Sequence, residues 1–122
     1  MFTILVLDKR DGIKSAIKYL LHRYEIVFFS CIKDAVKRIS ENNIDLILIN
    51  LPMEGESRED IESLKEQTNK KKTLALADII DMKLMQEASE FGVIGCLDKI
   101  DIGTLPEVVN RLLNQAITRV LV

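Results

Sequence analysis

The chain has 122 residues, a length that suits one domain with a single hydrophobic core and requires neither disulfides nor metals. Its formal net charge of −2 argues against electrostatic capture of nucleic acid, and the basic run at 70–72 is best explained as a solvated loop. No apolar run is long enough to cross a membrane and no basic start precedes one, so we expect a cytoplasmic protein without a signal peptide.

Residues that often carry catalysis are sparse. The two cysteines, Cys31 and Cys96, lie far apart without a CxxC motif and stand among apolar residues. We expect small buried side chains in a reducing compartment, rather than metal ligands or a disulfide. The single histidine, His22, falls near the end of the first predicted helix, and no serine or cysteine has an evident catalytic partner. The sequence therefore predicts neither an enzyme nor a bound metal or cofactor.

Short apolar segments alternate with helical patterns along the chain. Strands are predicted at 2–7, 24–29, 44–50, 73–77 and 93–97. Amphipathic helices follow the strands, and their expected N-terminal signals are Asp11, Ser30, the pair Ser57 and Asp60, and the pair Thr104 and Glu107. Gly92 is well placed to end the fourth helix. One stripe of that helix carries Met82, Met85, Ala88 and Phe91.

The alternation of five strands and five helices predicts an α/β fold. Continuously apolar strands indicate a parallel sheet covered on both faces, and the flavodoxin-like (βα)5 order 2-1-3-4-5 is the leading choice for this three-layer sandwich. In that order the first and third strands are neighbours, so Asp8 and Asn50 should face one another where the strands end. Lys99, just after the fifth strand, should reach the same rim.

Asn50 is the most informative residue of this rim. It stands at the end of a buried apolar strand, where an aspartate could coordinate a metal and accept a phosphoryl group. An asparagine keeps the size and one acceptor oxygen but has neither the charge nor the nucleophilic carboxylate. The pattern is that of a phosphorylation site that has lost its phosphoacceptor carboxylate.

The chain resembles the receiver domains of bacterial response regulators, the CheY-like proteins. The resemblance covers essentially all of 1–122, and its best-matching segments are 4–8, 45–50 and 92–99. In that family an acidic pair after the first strand and an aspartate after the third bind magnesium, and that aspartate accepts phosphate from a histidine kinase. The resemblance implies one receiver-like domain of two-component signal transduction, either whole or excised from a longer response regulator.

The positions that match the family's phosphoacceptor site depart from its pattern. Asp8 matches the first acid, but Lys9 occupies the second acidic position and Asn50 that of the phosphoacceptor. Magnesium normally takes at least one or two carboxylates, and only Asp8 remains of those expected. Lys9 or Lys99 could take the place of the metal, or Lys9 could extend into solvent.

The remaining switch positions depart as well. Ala77 stands where the family has a hydroxyl after the fourth strand, and Cys96 stands at its aromatic switch position. Lys99 is retained, but Ile100 follows it in place of proline, so we expect a trans peptide bond and a rearranged loop. The predicted degenerate site therefore consists of Asp8, Lys9, Asn50, Ala77 and Lys99, without a metal.

The sequence favours a pseudo-receiver, independent of phosphorylation, that binds another protein or an attached output domain. Two alternatives stay open: a receiver regulated by an unconventional signal, and a flavodoxin-like domain that binds a small molecule in the same crevice. We expect no direct contact with nucleic acid or membranes, while a homodimer is compatible with the sequence.

The resemblance places the interaction face on the fourth helix, fifth strand and fifth helix, with Met82 and Met85 on the fourth. An apolar stripe from Leu105 to Leu121 predicts a last helix of roughly 25 Å. A strand of five or six residues spans only ~17–20 Å. We therefore favour an overhang in which Val120 and Leu121 contact a partner; the alternative is a helix that stops near Thr118, with a tail that folds back or frays.

Overall fold

Five parallel strands form the central sheet of the computed structural model, which describes residues 1–9 and 11–114. They are β1 (Thr3–Leu7), β2 (Glu25–Phe29), β3 (Leu46–Leu51), β4 (Thr73–Ala77) and β5 (Gly95–Asp98). Their spatial order is β2-β1-β3-β4-β5, so the predicted flavodoxin-like topology is confirmed. β3 runs one residue further than predicted, and Asn50 therefore lies inside the strand, in register with Leu76 of β4.

Five α-helices connect and cover the strands. They are α1 (Lys14–Leu20), α2 (Ile32–Ser40), α3 (Arg58–Thr68), α4 (Met82–Glu90) and α5 (Leu105–Asn114). Two short 3-10 helices, Asp11–Ile13 and Lys99–Thr104, lead into α1 and α5. Among the described residues, none of these helices has the length and apolarity needed to cross a bilayer.

Each face of the sheet has its own hydrophobic core, because successive strand residues point to opposite sides. On one face, Ile4 of β1 lies in a cluster with Ile17 of α1 and Val109 of α5. On the other face, Leu5 lies in a cluster that includes Ala88 of α4 together with residues of α2 and α3. The predicted three layers are therefore present, with two helices on one side and three on the other.

Burial of the strands on both faces explains why their sequences are unbroken apolar runs. Every residue of β1 and β4 is buried, since each strand has neighbours on both sides and helices on both faces. β2 lies at the edge of the sheet and is only half-buried. This order places the ends of β1, β3 and β4 side by side at the carboxyl rim, where the candidate site lies.

The starts of the first two helices correct the capping predictions. α1 follows a 3-10 turn, so its N-cap position is Ile13 rather than Asp11. The N-cap position of α2 is Cys31 rather than Ser30, and no side chain there accepts a capping hydrogen bond. Cys31 is also exposed, because it lies in the loop before α2 and outside the two cores, which corrects its expected burial.

Later helix boundaries follow the sequence signals more closely. Ser57 caps α3 by accepting a hydrogen bond from the N–H of Asp60, as predicted. Gly92 follows α4 with a φ of +65°, as expected for a helix-ending glycine. Before α5, the 3-10 helix runs straight into the α-helix, and the Thr104 hydroxyl donates to the Asp101 carbonyl instead of forming the predicted box.

The inward face of α4 differs in phase from the predicted stripe. Leu84, Ala88 and Phe91 are buried against the sheet, whereas Met82 is 90% exposed and Met85 is only half-buried. The first turn of the helix therefore points its methionine to solvent. The predicted extension of α5 to Val120 and Leu121 falls on residues 115–122, outside the described residues.

Candidate functional site

A cavity of about 370 Å³ opens at the carboxyl rim of the sheet, where β1, β3 and β4 end. Its lining comprises Leu7, Asp8, Lys9, Ser30, Ile32, Asn50, Pro52, Met53, Glu54, Glu56 and Asp78. The N–H of Asp8 donates to the carbonyl of Phe29 at 3.0 Å, which holds the turn after β1 against β2. The structure thus brings Asp8, Lys9 and Asn50 to one cavity, as the strand order predicted.

Asn50 presents an amide, not a carboxylate, to this cavity. Its Oδ1 atom is buried and accepts no hydrogen bond from any of the described residues. A buried acceptor without a partner costs about 1–3 kcal/mol, so this geometry is not the one that stability alone would select. An amide that is neutral and weakly nucleophilic can orient a neighbour by hydrogen bonding, but it cannot form an acyl phosphate.

Lys9 does not extend freely into solvent. Its ammonium group forms an ion pair with Glu56, which lies in the loop between β3 and α3. The Glu56 side chain is 12% exposed and that of Lys9 is 55% exposed, so the pair lies at the mouth of the cavity with its acid inside. A cation supplied by the chain therefore neutralises one cavity carboxylate, close to the role predicted for Lys9 but through an acid that the sequence did not single out.

Lys99 reaches the same rim by a different contact. Its Nζ lies 3.6 Å from Oδ1 of Asp78, the residue that follows Ala77 at the end of β4. Ala77 itself is fully buried and presents no polar atom in its side chain. The Leu51–Pro52 bond is the cis peptide bond found among residues 1–9 and 11–114, so the Lys99–Ile100 bond is trans, as predicted. Lys99 begins a 3-10 helix and does not line the cavity.

Cys96 occupies the predicted switch position on β5 and is half-buried. It stands in register with Ala75 of β4 and packs against the core cluster that contains α4. Burial raises the pKa of its thiol, because the thiolate is disfavoured away from water. A small thiol at this position cannot make the large inward and outward swing of an aromatic ring.

The polar groups around the cavity are carboxylates, an ammonium group and an amide. Four carboxylates lie around the cavity, but Glu56 is paired with Lys9 and Asp78 with Lys99. Within the described ranges, no three of the Asp, Glu, His and Cys side chains are grouped so that they could hold a metal ion. An amide at position 50 and these two ion pairs reduce the number of hard oxygens that the described lining offers to a magnesium ion.

The cavity is linked to α4 by one hydrogen bond that the sequence did not predict. The N–H of Met53, in the loop after β3, donates to Oε2 of Glu87 on α4 at 3.1 Å. The Met53 side chain also packs against the core cluster on that face of the sheet. Neither contact has a sequence signal of its own, because the irregular loop after β3 places Glu56 at the rim and brings the N–H of Met53 to Glu87 on α4.

No protein-family model and no curated protein matches the sequence significantly. Solved structures are similar over nearly the whole chain. A response regulator from Thermotoga maritima is 18% identical, with a TM-score of 0.77 over 94% of this chain and 99% of its own. A signal receiver domain of an HD domain-containing protein from Pseudomonas fluorescens Pf-5 is 20% identical, with a TM-score of 0.75 over 92% and 86%. A protein from Burkholderia pseudomallei K96243 described as pilus assembly-related is 18% identical, with a TM-score of 0.75 over 98% and 95%.

Further similar structures include receiver domains and a chemotaxis CheY protein. The chain therefore has the CheY-like receiver fold that its residues predicted. Identities of 16–23% show the fold, and the chemistry of the rim is determined by the residues of this chain.

Proposed function

We propose that this protein is a receiver-like domain of two-component signal transduction that acts through protein–protein contacts without being phosphorylated. The signalling class is supported by the fold and by the response regulators and receiver domains among the similar structures. No catalytic turnover of its own is part of the proposal. The finer claim, independence from phosphorylation, rests on the residues of the rim.

The observation that carries the proposal is the amide of Asn50 in the cavity lining. An acyl phosphate forms when a carboxylate oxygen attacks phosphorus, and the carboxamide has no such oxygen. Its buried Oδ1 lies beside the ends of β1 and β4, where a phosphoacceptor would have to be approached. An amide at this position supports independence from phosphorylation.

The ion pair between Lys9 and Glu56 also supports independence from phosphorylation. A divalent cation would have to compete with an ammonium group that already sits on a cavity carboxylate. The pair also ties the turn after β1 to the loop after β3. We expect the two loops to keep one arrangement without a bound metal or phosphate.

The hydrogen bond from Met53 to Glu87 extends this fixed arrangement to α4. We propose that the interaction face of α4, β5 and α5 is held in a single state, with the exposed Met82 available to a partner. The partner is another protein or an output domain in the same polypeptide. The latter is supported by the receiver domain of Pseudomonas fluorescens, which belongs to an HD domain-containing protein.

Incubation with acetyl phosphate and Mg²⁺, followed by intact-protein mass spectrometry, tests the proposal. We expect no phosphoryl adduct and no beryllofluoride-dependent change in melting temperature. A response regulator that acetyl phosphate phosphorylates is treated in parallel, and its adduct shows that the reagents are active. A stoichiometric adduct on Asp8, or on any other residue of the cavity, would contradict the proposal.

A second candidate function, binding of a small molecule, has the cavity volume in its favour. Ligand pockets typically measure ≈ 300–1,000 Å³, and about 370 Å³ falls in that range. The several acidic groups in the lining make it less apolar than most such pockets. A thermal-shift screen with nucleotides and flavins separates the candidates, because specific stabilisation that is lost in Asn50→Leu would favour the ligand.

A further inference from the structure

An apolar patch lies on the rim beside the cavity. Ile79 is 71% exposed, Ile100 is 86% exposed, and Ile80 and Met82 are exposed as well. We call these four residues the rim patch. Single exposed apolar residues are ordinary, but four large ones at one edge of a sheet are characteristic of interaction sites.

Strand register brings together the two connections that carry the rim patch. Ala77 of β4 stands opposite Asp98 of β5, so the residues that follow each strand leave the sheet side by side. The Asp78–Lys99 ion pair joins the two connections at the next position. Ile79 and Ile100 come directly after the two members of this pair, and Ile80 and Met82 continue along the β4–α4 connection.

The surroundings of the rim patch are acidic. Four carboxylates lie on the two connections or at the end of β5, and two ammonium groups lie on the same connections or in the first turn of α4: Asp78, Asp81, Asp98 and Asp101 against Lys83 and Lys99. The described lining of the adjoining cavity adds the carboxylates of Asp8, Glu54 and Glu56 and the ammonium of Lys9. An acidic rim disfavours an anionic lipid surface, a nucleic acid and a second copy docked patch to patch, because each would bring negative charge against it.

We propose that the rim patch docks a basic amphipathic helix of a partner protein. Such a helix places apolar side chains at i, i+3, i+4 and i+7 against an apolar surface and keeps its polar face outside. Lysine or arginine residues beside the apolar stripe would lie over Asp101 and the other rim carboxylates. The isoleucines supply the apolar area, and the carboxylates select the sign of the partner's charge.

This inference goes beyond the proposed function, because it names a docking surface and the chemistry of its partner and does not depend on phosphorylation. The rim patch lies at the end of the strands and shares Met82 with the face of α4, β5 and α5 proposed above. A failed phosphorylation test would leave the docking result standing. Failure of docking would likewise leave the chemistry of Asn50 untouched.

The test uses a synthetic helical peptide of leucine and lysine, about five turns long, with the leucines on one face. Binding is measured by titration calorimetry, and amide shifts in NMR spectra locate the site. We expect shifts centred on 78–82 and 99–101, and an affinity that falls as salt is added. The double variant Ile79→Ser/Ile100→Ser should bind at least about tenfold more weakly, with an unchanged melting temperature because both side chains are exposed.

Two controls make the result specific. Tyr19→Ser removes a side chain on α1 that is also exposed and should leave the affinity unchanged. A peptide with glutamate in place of lysine should not bind. Equal binding of the glutamate peptide, equal binding of the double variant, or shifts located elsewhere would overturn the proposal. Sedimentation showing a wild-type dimer that the double variant loses would also overturn it, because a second copy would then occupy the rim patch.

Discussion

Lys9 and Glu56 form an ion pair that joins the turn after β1 to the loop between β3 and α3 across the mouth of the rim cavity. The acid is largely buried and the base is half-exposed, so the attraction acts in a medium less polar than bulk water. The pair thus connects two segments far apart in the sequence, and its removal should be measurable in the free energy of unfolding.

A double-mutant cycle with Lys9→Met and Glu56→Gln measures this connection. We expect a coupling energy of about 0.5–2 kcal/mol from urea unfolding, because either single change leaves a partner partly desolvated and unpaired. The pair of Lys70 and Glu66 on the surface near the end of α3 serves as the control, since both side chains are more than 60% exposed. Its coupling should not exceed about 0.5 kcal/mol. Equal values for the two pairs would mean that the Lys9–Glu56 contact is only a solvated surface pair.

Restoring the acid at position 50 should not by itself restore a metal site. In Asn50→Asp, Lys9 still occupies the second acidic position, and its ammonium group still pairs with the cavity carboxylate of Glu56. We expect no Mg²⁺-dependent rise in melting temperature and little labelling by acetyl phosphate for this single variant.

The double variant Asn50→Asp/Lys9→Asp should behave differently. Asp8 and the two new carboxylates then provide three hard ligands, and the cation that competed with the metal is gone. Mg²⁺ at about one hundred times its Kd would add about 2.7 kcal/mol of stability by mass action. A matching response in Asn50→Asp alone would show that Lys9 does not oppose metal binding.

The sequence predicted the strand order and the meeting of Asp8 with Asn50 because both follow from strongly determined features. Continuously apolar strands specify a parallel sheet, and the carboxyl ends of parallel strands meet at one rim. Glu56 and Glu87 could not be predicted in the same way. Glu56 lies on the irregular loop after β3, in which Gly55 has a φ of +75°, and the same loop brings the N–H of Met53 to Glu87 on α4. Such loops have no periodic signal.

Errors at the helix starts have a similar origin. Cys31 stands among apolar residues in the sequence, but the loop before α2 turns it outward. Met82 is exposed because it lies on the opposite side of α4 from the buried residues Leu84, Ala88 and Phe91. Local composition therefore identifies an element more reliably than it identifies the orientation of the element's first residue.

Replacement of Gly92 by alanine should destabilise the fold by about 1–3 kcal/mol, through two separate causes. Gly92 has a φ of +65°, and an added Cβ would overlap Oδ1 of Asn69 and lie 2.8 Å from its Cγ. The Asn69 amide donates to the carbonyls of Lys65 at 2.7 Å and Glu90 at 3.1 Å, so it cannot move without losing these bonds. Urea unfolding of the wild type and of Gly92→Ala measures this change in the free energy of unfolding.

Two other glycines separate backbone strain from steric overlap. Gly55 has a φ of +75° with open space around a Cβ, so Gly55→Ala should cost roughly 1–2 kcal/mol from strain alone. Gly103 has open space and no positive φ, so Gly103→Ala should be neutral or stabilise by up to about 1 kcal/mol. A smaller loss of unfolding free energy in Gly92→Ala than in Gly55→Ala would mean that the Asn69 side chain moves aside without destabilising the fold.

The two thiols should differ in reactivity, because Cys31 is exposed whereas burial raises the pKa of Cys96 above its ordinary value of 9.0. The thiolate is the nucleophile, so a raised pKa lowers the reactive fraction at any pH below it. At about pH 8 we expect iodoacetamide to label Cys31 at least about tenfold faster than Cys96. Labelling of Cys96 should continue to rise as the pH passes 9, and urea should abolish the difference. Each rate is read by mass spectrometry from the single-cysteine variants Cys31→Ser and Cys96→Ser. Equal rates in the native protein would mean that Cys96 is open to solvent and that β5 does not hold it against the core.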